Sequence, residues 1–173
     1  MEQEIEYLLD KNIDAAVDQQ IRDLLSICFT KPQDHVFETR RYFIAPYPNR
    51  WIIRDATGDL VAHIGVHERV IHAGDKEYRF GGIAEVCVRP DQRGQGLVKK
   101  MLVVIHEWLA EGDYPFAILM GDPRVYSSSG YVKVNNIVYG GREDDWKPFD
   151  GMVCALSNVS WPSGEVRLPG NKF

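Results

Sequence analysis

Apolar residues recur along this chain at two spacings, one helical and one strand-like. Between Asp14 and Phe29, the residues Val17, Ile21, Leu24, Leu25 and Cys28 fall mostly three or four apart. That spacing predicts one buried helical face, with Asp14 placed to cap the first turn. Leu97, Met101, Ile105 and Trp108 repeat the pattern and predict a helix from about Gln95 to Glu111, with Gly112 just past its end. Elsewhere the apolar runs are short and read as strands. They are IEYLL at 5–9, RWIIRD at 50–55, LVAHIGVHERVIHAG at 60–74, EYRFGGIAEVCV at 77–88, PFAILM at 115–120, YVKV at 131–134 and GMVCAL at 151–156. Gly-Asp pairs at 58–59 and 74–75 are turn chemistry for antiparallel hairpins. Residues 30–50 carry Pro32, Pro46 and Pro48 among charged and aromatic residues, which predicts a surface loop. GDPRVYSSSG at 121–130 predicts a short helix with its stop. The order is β-α-β-β-β-α-β-α-β-β, an α/β (α+β) chain with helices packed on a mixed sheet.

Size and charge narrow the picture. A chain of 173 residues, 45% hydrophobic, can bury one good core, so residues 1–173 are expected to form a single domain. A net charge of −5 with no basic run argues against sequence-independent nucleic-acid binding and fits a cationic or neutral small substrate. The three cysteines are far apart, in apolar contexts and without CxxC spacing, so they read as buried small hydrophobes rather than disulfides or ligands. His63 and His67 are four apart on a predicted strand, about 13 Å from each other, too far to share an ion; no metal is expected. The acidic N-terminus lacks the features of a signal peptide, and no apolar run approaches the roughly 20 residues of a membrane span. A soluble, cytoplasmic protein is expected.

The chemistry gathers in VCVRPDQRGQGLVKKMLVVI, residues 86–105. An apolar strand ends at Pro90, turns through Arg93-Gly94-Gln95-Gly96 and enters a helix at once. A dinucleotide fingerprint would need a third glycine where Lys99 stands, and a P-loop would need a Lys-Ser/Thr pair that is absent. Two readings remain. One is an ordinary tight turn; the other is a loop whose amides, over residues 93–98, meet an anion at a helix N-terminus.

The pattern V-x-V-x-P-x-x-R-G-x-G, then helix, strand and Y-x-x-x-G-Y, resembles the GNAT superfamily of acyl-CoA N-acyltransferases. It is carried by Val86, Val88, Pro90, Arg93, Gly94 and Gly96, and later by Tyr126, Gly130 and Tyr131. Within that superfamily, VAHIGVHERVIHAG, RGQGLVKKML, VYSSSGY and WPSGEV are most similar to the aminoglycoside 2′-N-acetyltransferases. VAHIG, VRPD and WPSG bear a fainter likeness to the nodulation N-acyltransferases. The resemblance implies a mostly antiparallel sheet splayed between its fourth and fifth strands. Acetyl-CoA would be the cosubstrate, its pyrophosphate held by Arg93, Gly94, Gln95, Gly96, Leu97 and Val98. Its pantetheine arm would run along Val86, Cys87 and Val88, with the Val88 N–H as oxyanion donor and Tyr126 as general acid.

Glu85 is the candidate base, because a carboxylate inside an apolar strand is costly unless paired or set in a cleft. The aminoglycoside enzymes carry the corresponding Glu one residue earlier, at Ala84 here, so a bulge would be needed to turn Glu85 to the same face. Asp150 and Glu165 match carboxylates that hold a polycationic sugar in those enzymes, although eight residues follow Glu165 here. The expected activity is acetyl transfer to a primary amine of a small cationic acceptor. The alternatives are a non-catalytic acyl-CoA-binding domain and a transferase of longer acyl chains. A homodimer through 136–140 and 151–156 is a further implication of the family.

Overall fold

The computed structural model describes residues 3–173. They gather into two compact units, one of the residues up to His67 with Ala84–Leu102, the other of Glu68–Ile83 with Val103–Phe173.

In the first unit, β1 (Ile5–Leu9) pairs antiparallel with β2 (Asn49–Arg54), which pairs antiparallel with the first half of β3 (Leu60–Ala73). Helix α1 (Ala15–Cys28) begins as its pattern predicts, with the Asp14 carboxylate accepting from Val17 N–H at 2.9 Å. Ile21, Leu24 and Leu25 on its inner face are buried in one cluster with Phe37, Ile52, Leu60 and Cys87. Each large apolar side chain closed off in this way contributes about 1.5–3 kcal/mol.

Residues 30–50 are not the surface loop expected. A 3-10 turn, Pro32–Glu38, drops Phe37 into the core, and Tyr47 is buried as well. The aromatics act as anchors, Phe37 lying against the rings of Phe29 and Phe43 at 5.5 and 6.1 Å. The prolines shape the path between them.

The sheet follows the strand path β6-β9-β5-β4-β3-β10-β7-β8, and the second unit holds β5 to β10 with Glu68–Ala73 of β3 and Lys76–Ile83 of β4. Here β4 is Lys76–Val88, β5 Phe116–Leu119, β6 Val132–Val134, β7 Ile137–Gly140, β8 Lys147–Pro148, β9 Gly151–Ala155 and β10 Val166–Pro169. β4–β5 and β7–β10 are parallel, while β5–β9, β6–β9, β7–β8 and β3–β10 are antiparallel. The β4–β5 ladder covers Phe80–Gly82 against Phe116–Ile118 and stops, although β4 runs on to Val88.

Three details depart from expectation. The buried stripe of α2 (Leu97–Glu111) is Leu97, Met101, Ile105 and Leu109, a strict four-residue step, while Trp108 is only partly buried. The left-handed residue that ends α2 is Asp113, at φ 60, rather than Gly112. Tyr114 N–H reaches back to Leu109 O at 3.0 Å, as a Schellman cap requires. Gly112 serves closeness instead, since a Cβ there would lie 3.1 Å from the Tyr114 ring.

Third, the residues after Glu165 form a strand, and Phe173 packs 5.6 Å from both Phe80 and Phe149. The expected dimer strands, 136–140 and 151–156, contain β7 and β9, each already paired on both sides within the chain. Neither can accept a further strand. Among the described residues no helix is long and apolar enough to cross a membrane.

Candidate active site

The first unit carries the glycine turn and the strand that leads into it. Gly94 and Gly96 take φ of 79° and 71°, left-handed values that strain any residue with a Cβ, and nothing lies within 4 Å of where their Cβ atoms would be. Bare backbone therefore faces open space on both. The first helical bond of α2 is Lys100 N–H to Gly96 O at 3.1 Å, so the amides of Leu97, Val98 and Lys99 precede the helical ladder. Their partial charge and the helix dipole favour an anion. Arg93 is exposed beside them, its Nε donating to Val88 O at 3.0 Å. Asp91 neutralises Arg89 at 2.6 Å, and Arg89 also holds Asp55 at 3.0 Å, which ties the turn to the loop after β2.

Immediately before this turn, β4 bends at Glu85. Its φ is 44°, one of two left-handed non-glycine residues among those described. A left-handed residue within a strand is a feature of β-bulges, at which side-chain alternation shifts by one. Arg89 N–H donates to Val61 O at 2.8 Å, so by strand alternation the Val88 N–H points to the opposite edge of β4.

Glu85 is partly buried. The Tyr47 hydroxyl, which donates to Arg41 O at 3.4 Å, the Arg50 guanidinium and the Phe43 amide favour the ionised form of its carboxylate. Oxygen Oε2 is nevertheless buried without a hydrogen-bond partner. Desolvation pushes this carboxyl above the usual range, against the opposing pull of Tyr47, Arg50 and Phe43.

Around it lies a fixed polar cluster. Arg50, wholly buried, donates Nε to Asp10 Oδ1 at 2.7 Å and Nη1 to Tyr47 hydroxyl and His63 Nε2, each at 3.0 Å. His63 Nδ1 donates in turn to Glu85 O at 2.8 Å, which sets its tautomer and pins the backbone of the bulge. Burial and then Arg50 hold His63 down at about 3, so it is neutral. Gly65 completes the arrangement, because a Cβ there would fall 2.1 Å from the Tyr47 ring.

Tyr126, Asp150 and Glu165 belong to the second unit, in three separate surroundings. Tyr126 ends α3 (Pro123–Tyr126), a single turn capped by Asp122 and followed by a 3-10 turn that Gly130 closes at φ 90°. Its ring is partly buried, edge-on to Tyr131 at 6.1 Å. Tyr131 is buried and bonded to His106 Nε2 at 2.7 Å, so it acts as the fixed wall behind Tyr126. A Cβ on Gly121 would meet the Tyr126 ring at 2.4 Å. Asp150 is exposed and paired with Lys133 at 3.0 Å, and Glu165 is exposed and paired with Arg167 at 2.8 Å. Among the described residues no group of three or more His, Cys, Asp or Glu side chains is placed to hold a metal ion.

The acetyltransferase (GNAT) domain family matches residues 11–134, well over half of the chain. The chain belongs to the GNAT acetyltransferase family. As a GNAT enzyme it is an acyl-CoA-dependent N-acetyltransferase. Solved structures share the fold. The GNAT N-acetyltransferase YhbS from Escherichia coli, in complex with CoA, is 18% identical with a TM-score of 0.66, over 96% of this chain and 89% of that one. A GNAT acetyltransferase from Brucella melitensis, in complex with acetyl-CoA, is 16% identical with a TM-score of 0.59, over 95% of this chain and 96% of that one. A probable N-acyltransferase from Enterococcus faecalis, 15% identical with a TM-score of 0.62, matches over 78% of this chain but only 33% of its own length.

The glycine turn and Glu85 are visible in the sequence of this GNAT enzyme, and His63 reads there as a sheet-face or site-lining residue, whereas Tyr47 and Arg50 do not stand out. A sequence signal exists for one of them. Arg50 is the second residue of an apolar strand, where a guanidinium is costly unless it is held on several sides.

Proposed function

We propose that this enzyme transfers acetyl from acetyl-CoA to a primary amine of a small cationic acceptor. The observation that carries this reading is Glu85 Oε2, a buried acceptor without a partner, set on a strained residue of the strand that runs into the anion-binding turn. The amides of residues 93–98 would hold the pyrophosphate, and the outward edge of Val86–Val88 the pantetheine arm. In this scheme Glu85 takes the ammonium proton, the freed amine attacks the thioester carbonyl, and the nitrogen releases its second proton to solvent as the amide forms. The developing oxyanion is received by Val88 N–H, and Tyr126 supplies the proton to the departing thiolate.

A raised pKa suits Glu85 to this task, since a stronger base takes the ammonium proton more readily. The pH dependence follows. Protonated Glu85 is inactive, so kcat/KM rises with pH through the pKa of Glu85, above the 4.5 of an ordinary glutamate.

The likeness to aminoglycoside 2′-N-acetyltransferases puts aminoglycosides among the acceptors to try. The pairing of Asp150 with Lys133 and of Glu165 with Arg167 gives that narrower choice no added support. Calorimetric titration with acetyl-CoA, followed by thiol release over polyamines, aminoglycosides, amino acids and peptides, tests the proposal. Saturable binding and N-acetylation of at least one primary amine are expected. Binding with no release across the panel would overturn the amine assignment.

A further inference from the structure

Two thiols meet where α1 ends against β4. Cys28 is the last residue of the helix and partly exposed, while Cys87 is the last but one of the strand and buried. Cys28 packs on the apolar cluster to which Cys87 belongs, and each thiol acts on the titration of the other. Cys28 Sγ also lies 3.4 Å from Val88 O, the carbonyl that accepts from Arg93 Nε at 3.0 Å. One carbonyl thus gathers a thiol and a guanidinium, and the thiol has a second thiol behind it. Acetyl transfer as described above uses neither sulfur.

The surroundings separate the two sulfurs by role. The neighbouring Cys87, together with Arg93 and against the effect of burial, brings Cys28 down to about 7. Cys87 moves the other way, its proton held by the neighbouring Cys28 and by burial. Cys154, the third cysteine, is buried with its sulfur against backbone carbonyls, and burial raises it. A partly exposed thiol beside a cation, with a second thiol in contact behind it, is the arrangement of a reactive and a resolving cysteine.

We propose that Cys28 and Cys87 form an oxidisable dithiol site whose substrate is a small peroxide, with Cys28 attacking and Cys87 resolving. The Cys28 thiolate displaces hydroxide from hydrogen peroxide; an S–O bond forms, the O–O bond breaks, and the hydroxide is protonated to water. The Cys87 sulfur then attacks the sulfenic sulfur of Cys28. An S–S bond forms, the S–O bond breaks, and hydroxide leaves with the Cys87 proton as a second water. Two electrons pass from the thiols to one peroxide, and a dithiol reductant restores the pair.

The test treats the fully reduced protein with a few equivalents of hydrogen peroxide, alkylates the remaining thiols and maps the peptides by mass spectrometry. The expected product links the Cys28 and Cys87 peptides, lighter by two hydrogens than their sum, with Cys154 still alkylated and the linkage reversed by dithiothreitol. Cys87→Ser should trap Cys28 as a sulfenic acid that dimedone labels, and Cys154→Ser should leave the linkage intact. The proposal is overturned if Cys28 and Cys87 remain free thiols under peroxide. It is equally overturned if the linkage joins Cys154 or two separate chains. The unmutated protein decides the matter even where Cys87→Ser fails to fold.

Discussion

Glu85 and the pair Asp150 and Glu165 are carboxylates in opposite surroundings. Glu85 sits inside β4, partly buried, with one oxygen closed off and unpartnered and Tyr47, Phe43, Arg50 and His63 around its side chain or its backbone. Asp150 and Glu165 stand on exposed ends of the second unit, each neutralised by a neighbouring cation at 3.0 and 2.8 Å. The difference lies in what solvent leaves for the protein to do. On the exposed surface, water and a flexible lysine or arginine satisfy the charge, and little stability or reactivity is stored. In β4, an unmet acceptor persists because the polar cluster around it holds the strand in place, so a proton on an incoming group can satisfy it.

The sharpest way to break this contrast is Glu85→Gln. The amide keeps the shape but cannot take a proton, so kcat/KM should fall roughly 10²–10⁴-fold and its acidic limb should vanish. A loss under tenfold, measured in steady-state assays across pH, would move the base elsewhere. Tyr126→Phe comes next, with an expected loss of about 10² in kcat and an unchanged acetyl-CoA Kd by calorimetry, since a proton donor to the leaving group acts only as the bond breaks. A parallel weakening of cofactor binding would instead make Tyr126 a binding residue.

Tyr47→Phe sharpens the comparison from within the cluster. The Tyr47 hydroxyl stabilises the ionised form of Glu85, so removing it raises the Glu85 pKa further. The acidic limb of kcat/KM should move to higher pH, with about tenfold lost below the limb and little above it. A flat loss at every pH would show that Tyr47 only packs.

How far the sequence displays these features depends on how local their causes are. Helix α1, its Asp14 cap and the glycine turn follow from spacing within one or two turns of chain, and all stand where the pattern puts them. The end of α2 was legible to within a residue, because Gly112 and Asp113 share the work of the cap. Strand β10 was not, for its Val166 and Leu168 are two apolar residues whose burial comes from β3 and β7 rather than from their neighbours in sequence. The Arg50 cluster is less local still. It joins Asp10, Tyr47, His63 and the Glu85 carbonyl through β-pairing, and a left-handed glutamate carries no mark in its residue type. The sequence does name the carboxylates; only packing ranks them.

That ranking carries the smallest prediction. Asp150→Asn and Glu165→Gln each remove a charge that an exposed partner already offsets, so kcat/KM for any accepted amine should change by less than about fivefold, the range of a solvated ion pair. The double variant should be close to the product of the two, since each carboxylate has its own partner, Lys133 for Asp150 and Arg167 for Glu165. Measured against polycationic and monocationic amines side by side, a large loss confined to the polycations would show Lys133 or Arg167 giving way to substrate. Asp150 and Glu165 would then select the acceptor, while Glu85 would keep its part in the proton transfer.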